Sequence, residues 1–190
     1  MNANQLTVDE GLLALSSLSR AVRGKAALAD LGALTWMPLR QLLPCDTMAL
    51  FLPDETHDHV VIRFAAGAHA AALQGVARPA STGVAGWVAI ARMPALNADP
   101  ALDLGFRAAE APALRSSLVV PLVESDALIA VLALYSSRPA AFTGDHVRLL
   151  ELIGPRLADT LIDVVIADED SLAAESSPAL RLVKSPARRN

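Results

Sequence analysis

Residues 117–122 and 127–135 are apolar at nearly every position, and this pair of runs constrains the fold more than any other part of the chain. A strand with one face in water alternates apolar and polar side chains, so a run without alternation must be covered on both faces. The polar stretch Val123-Glu124-Ser125-Asp126 between the runs suits a tight antiparallel turn. The expected architecture is therefore a sandwich, with the sheet in the middle, helices on one face and residues 68–114 on the other.

The other elements fit around that sheet. Residues 46–52 and 60–65 are short apolar runs separated by Pro53-Asp54-Glu55-Thr56-His57-Asp58-His59, a hairpin signal. Thr7 and Glu10 have capping-box spacing, and Leu12, Leu15, Leu18 and Val22 follow at helical intervals, which predicts a first helix over 8–23 closed by Gly24. A second helical pattern over 25–43 carries Leu28, Leu31, Leu34, Leu39 and Leu42, with Pro38 expected to kink it. A weak helical spacing at 68–73, a short strand at 76–78 and a helix over 83–91 come next, and residues 97–114 read as a long connection without period. Thr143 opens a closing helix whose stripe of Val147, Leu150, Ile153, Leu157, Leu161 and Val164 runs to residue 167, bent at Pro155. Residues 168–190 are charged, carry Ser and Pro, lack period and are expected to be disordered.

Composition narrows the function classes. A chain of 190 residues is long enough for one full core. Its longest apolar run, 127–135, is about half of the ~20 residues that a membrane-spanning helix needs. The N-terminus has no basic patch followed by an apolar core, so no export and a cytoplasmic location are expected. A net charge of −4 offers no attraction to nucleic acid or to an anionic membrane, and neither partner is expected. Cys45 is the only cysteine, which excludes an internal disulfide and a thiolate metal cluster, and reads as a small buried hydrophobe. His57 and His59 flank Asp58 in a turn without a third ligand, so no metal site is expected. No Ser-His-Asp set, paired catalytic carboxylates or phosphate loop stands at a useful spacing, and the chain is not expected to be an enzyme.

The order of these pieces resembles a GAF domain. The residues that carry the resemblance are Cys45-Asp46 through Phe51-Leu52, Thr82-Gly83-Val84-Ala85-Gly86-Trp87-Val88-Ala89 with Arg92-Met93-Pro94, and Asn97-Ala98-Asp99-Pro100. Ser116 to Leu122, Ile129 to Ser136 and Phe142-Thr143-Gly144-Asp145-His146 complete it. The resemblance implies an α+β sandwich, an antiparallel sheet of five or six strands with the terminal helices on one face and a pocket-forming helical excursion on the other. It divides the chain into an N-terminal helix at 1–24 that serves a dimer interface, a GAF-like domain at 25–167 and a disordered tail at 168–190. It implies a signalling domain that binds a small ligand, forms a homodimer through its terminal helices and acts on an output protein in trans.

No cofactor is expected. Haem-binding relatives need an axial histidine facing the pocket, bilin-binding relatives a cysteine in the excursion, and cyclic-nucleotide-binding relatives an Asn-Lys pair where this chain has Ser136-Ser137-Arg138. Sulfoxide-reducing relatives use several cysteines, and this chain has one. Arg63, Trp87, Asn97, Asp99, Phe106, Ser116 and Ser117 are the candidate ligand contacts. All but Phe106 have a plainer reading: Trp87 packing on the sheet, Arg63 reaching solvent, Asn97 and Asp99 satisfying their own turn, and the two serines bonding backbone groups. Because the excursion is rich in Ala and Leu, the alternative is a pocket filled by its own side chains, in a module that only dimerises or docks a partner.

Overall fold

A computed structural model of the chain describes residues 28–105, 111 and 113–176, with 165–176 described by backbone alone. The expected helix over 8–23 and the candidate Phe106 lie outside the described residues. In chain order the elements are α1 (Leu28–Leu42), β1 (Thr47–Pro53), β2 (His59–Gly67), α2 (Ala70–Leu73), β3 (Ala77–Pro79), α3 (Gly83–Ala91), β4 (Ala95–Ala98), α4 (Ala101–Leu104), β5 (Ser116–Glu124), β6 (Ala127–Ser136) and α5 (Gly144–Ser176). The six strands form one sheet in the order β3-β2-β1-β6-β5-β4, and every neighbouring pair is antiparallel.

The register explains the two unalternating runs. Strand residues point alternately to opposite faces. Met48 and Leu50, Leu118, Val120 and Leu122, and Ala130, Leu132 and Leu134 share one face, packed under α1 and α5 with Leu31, Leu39, Leu150, Ile153, Leu157 and Leu161. Their neighbours Ala49, Phe51, Val119, Val131, Ala133 and Tyr135 form a second core with Leu73, Val76, Val84, Ala85, Val88, Ala89 and Leu104 of the excursion. Fully burying a Leu or Phe contributes about 1.5–3 kcal/mol, so both layers select this register strongly. The strands of β5 and β6 leave only Ser125 and Asp126 between them, both at positive φ (48° and 66°), which is a primed two-residue turn.

Three differences from the sequence reading have physical causes. The connection at 97–114 is not structureless: β4 pairs with β5, and α4 follows. Four residues of Ala-Leu-Asn-Ala are too few to show a period, and a register shift between Leu96 and Ala98 breaks what pattern there is. In α1 the buried face is Leu31, Gly32, Thr35, Trp36 and Leu39, while Leu34 is exposed. Gly32 sets that face, since a Cβ there would collide with the Phe64 ring on which α1 sits. Helix α5 continues to Ser176, so 168–176 are helical where disorder was expected; Ala, Glu and Leu favour helix, and the next proline is Pro178. The α5 stripe packs on the sheet, as its period predicts. Leu150, Ile153, Leu157, Leu161 and Val164 are buried and Leu152 is exposed, with Glu151, Arg156 and Asp159 outward. Pro38 and Pro155 both lie inside continuous helices. No helix among the described residues is long and apolar enough to cross a membrane.

Candidate functional site

The excursion meets the sheet around one buried carboxylate. Helix α3 begins at Thr82 and Gly83, yet the Thr82 hydroxyl turns back to the Pro79 carbonyl (3.1 Å) and caps nothing. Four N–H groups at a helix start lack partners within the helix. Asp103 of α4 supplies one from outside: its Oδ1 accepts the Ala85 N–H at 2.8 Å. Gly83, at φ 75°, is required there twice over, because a Cβ would also lie 3.0 Å from both Asp103 Oδ1 and the Leu102 carbonyl.

The other oxygen, Asp103 Oδ2, accepts the Tyr135 hydroxyl at 3.2 Å, so a side chain of the central strand β6 completes the set. From β3, Arg78 Nε donates to the Asp103 carbonyl (2.8 Å) and Nη2 to that of Leu102 (3.4 Å), which ties α4 to the sheet edge. Asp103 is 1% exposed and Tyr135 0%. Burial pushes the Asp103 carboxyl above its ordinary range, against the Ala85 N–H, the Tyr135 hydroxyl and the Arg78 charge that hold it down. Burial, and then the Asp103 charge, drive the Tyr135 phenol well above 10. The arrangement is a latch that joins α4, the start of α3 and the middle of the sheet.

The sequence candidates fall into two groups. Asn97, Ser116 and Ser117 come together where β4 and β5 meet the loop before α5. Asn97, at φ 54°, donates to the Phe142 carbonyl (2.8 Å) and accepts its N–H (3.0 Å). Ser116 Oγ donates to the Arg138 carbonyl (2.7 Å) and accepts the Ala141 N–H (3.3 Å), and Ser117 Oγ donates to the Ala98 carbonyl (3.1 Å). Asp99 accepts the Ala101 N–H (2.9 Å) at the start of α4. These four side chains are engaged with the backbone.

Arg63 and Trp87 stand apart from that group. Arg63 is exposed at a register shift, since Leu50 pairs with Phe64 and Phe51 with Ile62. Trp87 is 48% exposed on the outer side of α3, so it neither packs on the sheet nor faces the interior. Cys45 is partly buried beside the Leu39 carbonyl (3.8 Å), and burial pushes its thiol up to about 12. His59 meets Asp54 at 3.4 Å in the β1–β2 turn, and no metal-binding group of three side chains occurs among the described residues.

Asp103, Tyr135 and Arg78 were not among the sequence candidates. Two signals pointed to them: Tyr135 is the only tyrosine and sits in an apolar strand where its hydroxyl needs a partner, and α3 has no acidic residue in its first turn. A groove of about 220 Å³ lies elsewhere, between Arg92, Pro94, Pro121, Val123, Glu151, Gly154 and Pro155.

A profile of the GAF domain family matches residues 34–161. No curated protein sequence matches the chain. Among solved structures, the GAF domain of an Acinetobacter phosphoenolpyruvate-protein phosphotransferase superposes with a TM-score of 0.66 at 16% identity, covering 84% of this chain and 98% of that one. The corresponding domain from Coxiella burnetii gives 0.62 at 19% identity, covering 88% and 98%. The free methionine-R-sulfoxide reductase of Neisseria meningitidis, in complex with its substrate, gives 0.63 at 19% identity, covering 88% and 95%. At these identities the likeness is one of fold.

Proposed function

The chain belongs to the GAF domain family, and on that premise we propose that it is a non-enzymatic regulatory module of the docking kind, whose ligand position beneath the excursion is filled by its own side chains. One observation carries the reading. A helix N-terminus is where a protein most readily holds an anionic group, and at α3 that place is taken by the Asp103 carboxylate. The apolar side chains around it belong to the second core. The non-enzymatic part is supported by Cys45: a thiol pushed up to about 12 carries almost no thiolate at neutral pH, and sulfur redox chemistry of the kind named for the Neisseria relative begins from a thiolate.

A second reading, a small-ligand sensor, is favoured by the Asp103–Tyr135 pair itself, which is a polar complement in an otherwise apolar layer. Opening of α4 presents an acid and a phenol to a ligand, and β6 carries the change to the helix layer and so to an output protein in trans. Thermal-shift screening separates the two. A ligand at 100 times its Kd adds about 2.7 kcal/mol, well within detection. The docking reading expects no shift of the wild type from nucleotides, amino acids or aromatic acids, while Asp103→Ala is restabilised by formate or acetate. A compound that stabilises the wild type and loses its effect in Asp103→Ala overturns it in favour of the sensor.

A further inference from the structure

We propose that the edge of β5 at residues 121–123 is a docking site for an extended segment of a partner protein, added there as a short strand. The sheet is uneven at this edge. Strands β5 and β6 run for 9 and 10 residues, whereas β4 has 4 and pairs only with Ser117, Leu118 and Val119. Residues 120–124 have β6 on one side and no strand on the other. Backbone groups alternate in direction along a strand. The Tyr135 carbonyl accepts the Asp46 N–H from the β1 side and the Ser136 carbonyl the Arg115 N–H from the β5 side, so Leu134, Leu132 and Ala130 also turn toward β5. Their partners Leu118, Val120 and Leu122 face β6, and Val119, Pro121 and Val123 face the edge. The register shift beyond Leu122 skips Ile129 of β6 and leaves β5 in step. Pro121 fits this assignment, since a strand tolerates proline where the missing N–H would point away from the ladder. Val119 meets Ala95, but the Pro121 carbonyl and the Val123 N–H and carbonyl meet no hydrogen-bonding group among the described residues.

These three groups lie in the 220 Å³ groove, whose walls are Arg92 and Pro94 past the end of α3 and Glu151 and Pro155 of α5. Unpaired backbone on a sheet edge is complemented by another backbone, and charge selects which one. On the excursion side, Arg92 Nε and Nη1 donate to the Ala89 (2.9 Å) and Asp126 (3.3 Å) carbonyls, which fixes the guanidinium without neutralising it. On the helix side stand Glu151 and, on the face of β5 shared with Leu122, Glu124; Asp126 follows in the turn. Among the described residues Arg92, Glu124 and Glu151 have no ion-pair partner, while the neighbouring Arg148 is held by Asp145 at 2.9 Å. Arg156 lies about 140° around α5 from Glu151, off the groove. An added strand turns successive side chains to opposite sides. The segment that fits therefore carries a Lys or Arg toward α5, an Asp or Glu next to it toward α3, and no proline opposite Pro121 or Val123.

The site supplies a partner chemistry for the docking reading above and rests on it, but the two fail separately, because a stabilising small ligand defeats that reading and leaves the β5 edge untouched. The test is amide hydrogen exchange by NMR on the full chain, then selection of phage-displayed random decapeptides and titration of the selected peptides. The Val123 amide is expected to exchange about a hundredfold faster than those of Val120 and Leu122 in the chain alone. Selected peptides should carry the basic-acidic pair, protect the Val123 amide, and bind about tenfold more weakly to Val123→Pro and to Glu151→Lys. Val123→Pro should keep the wild-type melting temperature, because the N–H that it removes is outside the ladder. Glu151→Lys, on the exposed side of α5, keeps the test independent of any cost of that proline. A Val123 amide protected in the chain alone overturns the inference: the edge is then covered by another part of the chain, or by a second copy if protection rises with concentration. So does a selection that yields no peptide, or peptides that bind Val123→Pro and Glu151→Lys as tightly as the wild type.

Discussion

The two faces of the sheet are built by different means. Under α1 and α5, long aliphatic side chains from two long helices interdigitate with β1, β5 and β6, and the described contacts are apolar. Under the excursion, two of the three helices are only four residues long, and the layer is held by a core in which Ala and Val predominate, plus one buried polar latch. Short helices have little cooperativity of their own, so they depend on tertiary bonds to stay in place. The helix face is expected to open only with the whole domain, and the excursion to open locally at lower cost.

The largest effect should come from the helix face. Leu132→Ala, on the central strand and 1% exposed, should cost about 2–5 kcal/mol in urea denaturation and lower hydrogen-exchange protection throughout the sheet. Asp103→Ala comes next, at about 2–3 kcal/mol, because it uncaps α3 and strands the Tyr135 hydroxyl. Its loss of protection should be confined to 77–105; if β1, β5 and β6 lose protection equally, the two faces form one cooperative unit and the contrast fails. Tyr135→Phe removes one donor to Asp103 and should cost about 1–2 kcal/mol, again in the excursion.

Asp103→Asn is the smallest and the sharpest test. The amide oxygen can accept the Ala85 N–H and the amide nitrogen can donate to Tyr135, so the cost at pH 7 should stay below about 1 kcal/mol. Its signature is pH dependence. The folded-state carboxyl is raised above its unfolded value, so its contribution is fully present below the unfolded pKa of about 3.9 and is lost as pH rises through the folded value. Melting curves should show the wild type gaining on Asp103→Asn as pH falls from 7 to 4; a constant difference would mean that Asp103 titrates normally and the latch is solvated.

How much of this was legible beforehand differed between the same two regions. The bounds of α3, Gly83–Ala91, follow from the glycine at its start and the proline after its end, and the left-handed Arg92 (φ 55°) closes it as that punctuation requires. The hairpins and the helix stripes were equally plain, because each spans enough residues for a period to show. Around the latch the signals were single residues. Asn97 and Ser116 looked like ligand contacts because they are polar beside a pocket helix, yet they bond to Phe142, Arg138 and Ala141, 20 or more positions away. Asp103 looked like any acid in a loop.

The sequence alone therefore settled the layers: which runs are strands, that both faces of the sheet are covered, and the family to which that order of elements belongs. Hydrophobic period is a local property, and local properties survive in one dimension. Tertiary structure alone decided which polar groups are used up inside and which apolar ones are left outside. Whether a carboxylate is a ligand contact or a latch, and whether a tryptophan is core or surface, depends on what stands across the gap. For Asp103 that is Ala85 and Tyr135, brought together from three separate elements by the closing of the fold.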